Sequence, residues 1–360
     1  MLFSIPSMKL TALACLAAAV LGAPTKDDSS KDVFSSSNWP YPAKIFGDTD
    51  GWGTVHIHDP SVVKHDGWYY SFGTHLRVTI ARSPTLYGPW KHLGSVLDAG
   101  QSIIELPGRD DIWAPDVIKV GDTFHCYYSV STFGAQNSAI GLATSKTLLP
   151  GSWTDHGEVV RSYDLDDYPN ATEPWTITNA IDPAVLFDAK TGKPYMSYGS
   201  FWTNIWGFPL NKAMDGIEEG AVPKHLAYDP VSPNPVEGPF IHYASKTGYY
   251  YLFVSHGYCC GYNASMPAAG EEYKIKVGRS KTIDGPFLDR NGTDMVNGGG
   301  DVILGSHGWL YGPGGQGVLV DGKKDILYYH YVDNRVSYID EDKYLGWNEI
   351  KYSKGWPYLV

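Results

Sequence analysis

Five times along the chain, a polar or Gly/Pro-rich corner leads into a short apolar run, then a tight turn, then a second run rich in aromatic residues. The stretches are HDPSVVKHDGWYYSFGTH from residue 58, WAPDVIKVGDTFHCYYSVSTFG from 113, IDPAVLFDAKTGKPYMSYGSFW from 181, VEGPFIHYASKTGYYYLFVSHG from 236 and GPGGQGVLVDGKKDILYYHYVD from 312. Their turns contain Asp-Gly, Gly-Asp, Thr-Gly or Gly-Lys, residues that tolerate the left-handed backbone of a short hairpin loop, so each stretch predicts two antiparallel strands. Further strand-like pieces lie between them: VTIARSP, AIGLATSKTLLPGSWTDHG and YKIKVGRSKTIDGPF. These share a tail in which a strand is followed by a Gly-Pro or Gly-Ser turn and an aromatic residue. One unit therefore holds about four strands, and such units repeated around an axis make a propeller. The expected fold is all-β, a five-bladed β-propeller.

The ends of the chain set the expected compartment. Residues 1–23, MLFSIPSMKLTALACLAAAVLGA, place Lys9 before an apolar run from Leu10 to Leu21 and close on Gly22 and Ala23, the pattern of a secretory signal peptide. No segment approaches the ~18 uninterrupted apolar residues of a membrane-spanning helix. Residues 24–38 are polar and expected to be disordered, and 39–360, without an internal Pro/Ser-rich linker, to form one propeller domain. A secreted, extracellular protein follows. The sequons at Asn170, Asn263 and Asn291 are N-glycosylation candidates in that compartment. Cys15 leaves with the signal and Cys126 stands alone in a strand pattern. Cys259 and Cys260 are adjacent between Gly257 and Gly261, which leaves open a vicinal disulfide or two free thiols.

Composition agrees with this picture and removes some functions. The 40 Gly and 24 Pro punctuate the chain too often for long helices, while 26 Tyr and 12 Trp favour strands and polar-ligand surfaces. A net charge of −11 with no Lys/Arg cluster offers nucleic acid or an anionic membrane no electrostatic footprint. A monomer is expected.

In a propeller the innermost strand of each blade starts near the axis, so the starts of successive repeats converge on one mouth. Asp59, Asp116, Asp182 and Glu237 stand at those starts. An acid in a loop is ordinarily a turn cap, but acids recurring at one place in a repeat point to a shared pocket. The histidines show no metal-binding spacing, no G-x-S-x-G marks a serine hydrolase, and GPGGQG opens a strand rather than joining strand to helix as a phosphate loop would. Paired carboxylates without these alternatives suggest glycoside hydrolysis, in which one acid activates water and another protonates the leaving oxygen.

HDPSV, WAPDV, the Asn179–Pro183 run NAIDP and VEGPFI together resemble glycoside hydrolase family 43, and the longer runs WAPDVIKVGDTFHCYYSVSTFGAQNSAIGLATS and YGPGGQGV are similar to its fungal endo-1,5-α-L-arabinanases. The resemblance runs from about Trp39 to Val360. It implies a five-bladed propeller, inversion, and cleavage of arabinan or arabino-oligosaccharides, the side chains of pectin. By the same resemblance Asp59 is the general base, Glu237 the general acid, and Asp182 the acid that orients the site and tunes its partner. Trp113 is implied as a sugar-stacking residue, Phe133, Gly134, Asn179, Ser200, Phe201 and Trp202 as substrate contacts, and Asp116 as structural. No cofactor is required for the chemistry. Many members place a His after Gly-Pro-Gly to bind a central cation such as calcium; here the run is Gly312-Pro313-Gly314-Gly315-Gln316, with His307 as a substitute, so the metal stays unassigned. An exo-acting arabinofuranosidase or β-xylosidase of the same fold is the rival enzyme, and a non-catalytic carbohydrate-binding propeller is the rival without chemistry.

Overall fold

Period-two alternation within each repeat gives antiparallel hairpins, and the computed structural model, which describes residues 32–45, 56–98 and 100–360, shows how they assemble. Twenty strands form five separate four-stranded sheets, each in sequence order from the axis outward. The innermost strands are Ser61–His65, Trp113–Val120, Ala184–Phe187, Val236–Ala244 and Leu310–Asp321. Each touches the next, and the fifth touches the first, so the sheets close into a five-bladed β-propeller. The expected signal peptide lies outside the described residues.

No single central core holds the ring. Five apolar clusters lie instead between consecutive blades, including one between the fifth and the first. The second strand of a blade therefore buries both faces. In Thr123–Val130, Cys126 and Tyr128 pack toward the first blade while Tyr127 packs toward the third. In Tyr249–His256, Tyr251 and Phe253 face the fifth blade while Tyr250, Leu252 and Val254 face the third. This is why these strands read as unbroken aromatic and aliphatic runs rather than alternating ones.

Closure joins the two ends of the chain. The Ile57 N–H donates to the Lys343 carbonyl at 2.9 Å, Ala43 N–H to the Trp347 carbonyl at 3.1 Å, and His56 bridges to Tyr344. Leu86 and Trp90 of the first blade pack against Leu319, Tyr328 and Trp347 of the fifth. Of the segment 24–38 expected to be disordered, residues 32–38 are described, and within them Ser36–Asn38 is a 3-10 turn capped by Ser35. Phe34 lies edge-on to Tyr358 and beneath the Arg290 guanidinium, which gives this polar stretch an anchor. Asn170, Asn263 and Asn291 are all exposed. Among the described residues no helix is long and apolar enough to cross a membrane.

Candidate active site

Each blade has a left-handed residue just before its innermost strand or within that strand's mouth-side half, where the chain turns inward from the mouth: Asp59 (φ 44°), Ala114 (φ 43°), Asp182 (φ 57°), Gly238 (φ 57°) and Gly315 (φ 56°). Asp59 and Asp182 are thus structural equivalents, whereas Asp116 lies two residues beyond the turn of its blade and Glu237 one residue before the turn of its own. This corrects the expectation that all four acids occupy one repeated position. Asp116 is buried on the axis, where its Oδ2 accepts the Val185 N–H at 2.7 Å, and burial pushes its pKa up to about 7. It ties the second blade to the third, as a structural role requires.

A second repeated device holds these turns. Near the end of the second strand of one blade, a side chain accepts the N–H of the turn residue that starts the next: Thr74 accepts from Ala114 at 2.9 Å, Ser129 from Asp182 at 3.0 Å, Ser255 from Gly315 at 2.9 Å and His330, through Nδ1, from Asp59 at 3.1 Å. The fourth blade departs from the rule. Its Gly238 N–H goes to Asp182 Oδ2 at 3.1 Å, and Ser200, the residue in the latch position, donates instead to Glu237 Oε2 at 2.5 Å. A register irregularity between Glu237 and Phe240 turns Glu237 toward the mouth.

The mouth opens into a cleft of about 680 Å³ lined by Asp59, Asp182 and Glu237 together with Trp113, Phe133, Gly134, Asn179, Ser200, Phe201 and Trp202. All the site residues expected from the resemblance are brought together there. Their parts differ. Phe133 is 82% exposed, its ring edge-on to Trp113 at 5.8 Å, a flat apolar surface of the kind that covers a sugar's C–H face. Asn179, by contrast, uses its amide donors on the Ala135 carbonyl and Ser138 Oγ, each at 3.0 Å, and so shapes the 132–138 loop. Ser200 touches Glu237.

The three acids differ in their surroundings. Asp59 Oδ2 accepts the Thr74 hydroxyl at 2.8 Å, and burial raises its proton affinity while this bond and the nearby Lys343 charge lower it. Burial also raises Glu237, against the opposing effect of two hydroxyl donors, Ser200 and Tyr273. Asp182 is raised well above its ordinary value, first by burial and then by the like charges of Glu237 and Asp59, with one amide donor to offset them. Its surroundings therefore favour the anion less than those of Glu237.

A closed ring of five blades with three carboxylates in one open cleft has close counterparts. The model of the family described as glycosyl hydrolases family 43 matches residues 53–357. The chain belongs to this family. In sequence it is 48% identical over 309 residues to a probable arabinan endo-1,5-alpha-L-arabinosidase A of Aspergillus clavatus, covering 85% of this chain and 91% of that one, and 49% identical over 310 residues to its counterpart in Aspergillus fumigatus, with the same coverage. In structure it is similar to the Cellvibrio cellulosa alpha-L-arabinanase complexed with arabinohexaose, with TM-score 0.73, 30% identity, and 85% and 96% of the two chains covered. It is also similar to an exo-1,5-alpha-L-arabinanase from a bovine ruminal metagenomic library, with TM-score 0.72, 36% identity, and 85% and 97% covered. As a member of family 43 the chain is a glycoside hydrolase.

Family 43 membership brings back the question of a central cation. His307 does not line the axial cavity: its ring packs on Trp39 and Tyr41, and Nδ1 lies 2.9 Å from the Gly305 carbonyl. Gln316, on the axis, accepts from Ser255 at 2.9 Å and donates to the Gly238 carbonyl at 2.7 Å. His58, Asp59 and His330 bring one ligand atom each within 4.8 Å of one another. However, Lys343 Nζ at 2.9 Å engages the lone pair of His58 Nε2, and the Asp59 N–H engages that of His330 Nδ1, so neither ring offers the nitrogen a cation needs. This donor set does not fit a metal.

Several site residues escaped the sequence reading: Thr74, Tyr273, His58, His330 and Lys343, and the rim pair His75 and Asp111, whose side chains meet at 3.0 Å. The latch residues did leave a signal, a Ser, Thr or His near the end of each second strand, as in YYSFGT, YYSVS, LFVSH and LYYHYVD. In the structure Cys259 and Cys260 are joined as a vicinal disulfide on the cleft wall, and Cys126 is buried and free.

Proposed function

We propose that this chain is a secreted endo-1,5-α-L-arabinanase that cleaves internal bonds of arabinan with inversion. The observation that carries the reading is the open cleft in which the first, third and fourth blades present Asp59, Asp182 and Glu237 beside the half-buried Trp113 and the exposed face of Phe133. In this reading Asp59 takes a proton from the attacking water, which forms the new C–O bond at the anomeric carbon, and Glu237 delivers its proton to the departing sugar oxygen as the glycosidic bond breaks. Asp182 donates nothing to substrate; its charge helps the Asp182–Glu237 pair keep a proton to higher pH than either acid would alone. Inversion requires the two working carboxyls to stand ~6.5–9.5 Å apart, with the water between Asp59 and the sugar.

An exo-acting enzyme is the second reading, favoured by the ruminal exo-arabinanase that shares the fold at 36% identity. The fungal relatives at 48% and 49% identity carry endo names, which supports the first. Digesting linear 1,5-α-L-arabinan while sizing products and following the anomeric proton by NMR tests both. Endo action gives mixed oligosaccharides and a fast fall in polymer size, with the opposite anomer appearing first. Arabinose alone from the first minutes would establish exo action, and a first product with the starting anomer would refute inversion. No turnover of arabinan alongside turnover of an aryl xyloside would remove the arabinan assignment.

A further inference from the structure

Lys343 places a fully buried ammonium at the seam between the fifth and first blades, just ahead of the strand Tyr344–Ser353. Its Nζ lies 2.9 Å from His58 Nε2, 2.9 Å from the carbonyl oxygen of Cys259, and 3.1 Å from Asp340 Oδ1. Cys260 Sγ is 3.7 Å away and the Tyr262 ring 5.9 Å. An ammonium donates and accepts nothing: Lys343 gives its N–H groups to His58, the Cys259 carbonyl and Cys260 Sγ, while Asp340 pairs with its charge. His58 Nε2 must then be the acceptor. That fixes the ring as the neutral tautomer with its proton on Nδ1, and Nδ1 faces Asp59 Oδ2 at 3.5 Å. The chain runs Lys343 N–H to Nε2, then Nδ1–H toward the carboxylate.

We propose that Lys343 is a positioning residue for Asp59: through a neutral His58 it orients the carboxylate and keeps it ionised, and the vicinal disulfide loop holds the Cys259 carbonyl that anchors the ammonium. Because the Lys343 carbonyl also accepts the Ile57 N–H, one residue before His58, closing the ring and setting the base are a single feature of the fold. Other groups act on Asp59 as well. His58, Thr74 and His75 face it from the first blade, His330 and Lys343 from the fifth, and Asp182 and Glu237 across the mouth. Lys343 is in turn faced by Asp340, Asp59 and Glu237, whose charges oppose the loss of its proton on burial. Removing its charge leaves the burial of Asp59 less compensated, so the base should take up a proton at higher pH.

The inference rests on Asp59 being the base, and the test separates the two. Profiles of kcat/KM against pH on linear arabinan are measured for the intact enzyme and for Lys343→Met, Asp59→Asn, His58→Gln and His58→Leu, with thermal unfolding of each. Lys343→Met should move the acid limb to higher pH and cost about tenfold in kcat/KM at its acid end, the effect of a shift of one unit. His58→Gln, whose amide can accept from Lys343 and donate toward Asp59, should keep the acid limb close to that of the intact enzyme, whereas His58→Leu should move it as Lys343→Met does. A Lys343→Met enzyme whose limb stays in place while its melting temperature falls overturns the proposal. If that variant does not fold, identical limbs in the two His58 variants overturn it instead. Arabinan activity retained in Asp59→Asn would refute the base, and with it this inference; an inactive Asp59→Asn beside an unmoved Lys343→Met limb refutes the inference alone.

Discussion

At the residue scale the proposed mechanism turns on where one proton resides. Glu237 and Asp182 are both raised by burial, and the Glu237 charge further opposes ionisation of Asp182; two neighbouring carboxyls resist being charged together. Asp182→Asn removes the like charge, so the pair loses its last proton at lower pH and the basic limb of kcat/KM should move down. Activity on arabinan should fall by roughly 10²–10⁴-fold, while an aryl arabinofuranoside whose leaving group needs little protonation suffers less. Tyr273→Phe carries the opposite sign. The Tyr273 hydroxyl donates to Glu237 and favours its anion, so without it the acid is raised further and the basic limb should move up. Equal displacement of the limb in the same direction by both variants would show that neither residue acts through the charge of Glu237.

The element that matters most is the left-handed turn at the start of each blade, with the latch from the blade before it. At Gly315 (φ 56°) an added Cβ would stand 2.6 Å from Asp59 Oδ1 and 2.7 Å from His330 Nδ1. Gly315→Ala therefore meets both a backbone cost of roughly 1–2 kcal/mol and a collision with Asp59, the proposed base, and its latch. A displacement of this kind in a catalytic group costs up to about 10²-fold. Arabinan turnover should accordingly fall far more than melting temperature, read by initial rates beside calorimetry. A variant that loses stability but keeps its rate would mean that the base tolerates movement. The same geometry explains a departure from the repeat: where Ser200 leaves its latch position for Glu237, Asp182 supplies the missing acceptor to Gly238, so one carboxylate both closes the turn and sits beside Glu237.

Across the whole molecule, stability is distributed over five seams rather than one core. The seam that joins the last blade to the first has no covalent link along the chain, and Trp90, 1% exposed, fills it against the fifth blade. Trp90→Ala should destabilise the protein by about 3–5 kcal/mol in denaturant unfolding, the range for deleting a buried aromatic. Since Asp59 and Lys343 flank this seam, loosening it should also lower activity at temperatures below the melting transition. A loss under about 1 kcal/mol would show that the ring closes without this contact.

The repeat itself was legible in the sequence, because hairpin turns and apolar runs are local: five copies sufficed to give the propeller, and the resemblance of HDPSV, NAIDP and VEGPF to family 43 picked out Asp59, Asp182 and Glu237. Local pattern could not show that Asp116 sits two residues beyond the mouth turn, since a sequence motif does not report which residue takes the left-handed conformation. Nor could it separate Asn179 and Ser200, held by the 132–138 loop and by Glu237, from residues open to substrate. His58, Lys343 and the disulfide loop lie 285 and 84 residues apart along the chain and meet only when the ring closes. Composition and periodicity are properties of neighbours in sequence, whereas the charge on a buried carboxylate depends on which distant groups surround it, and that was decided by tertiary structure alone.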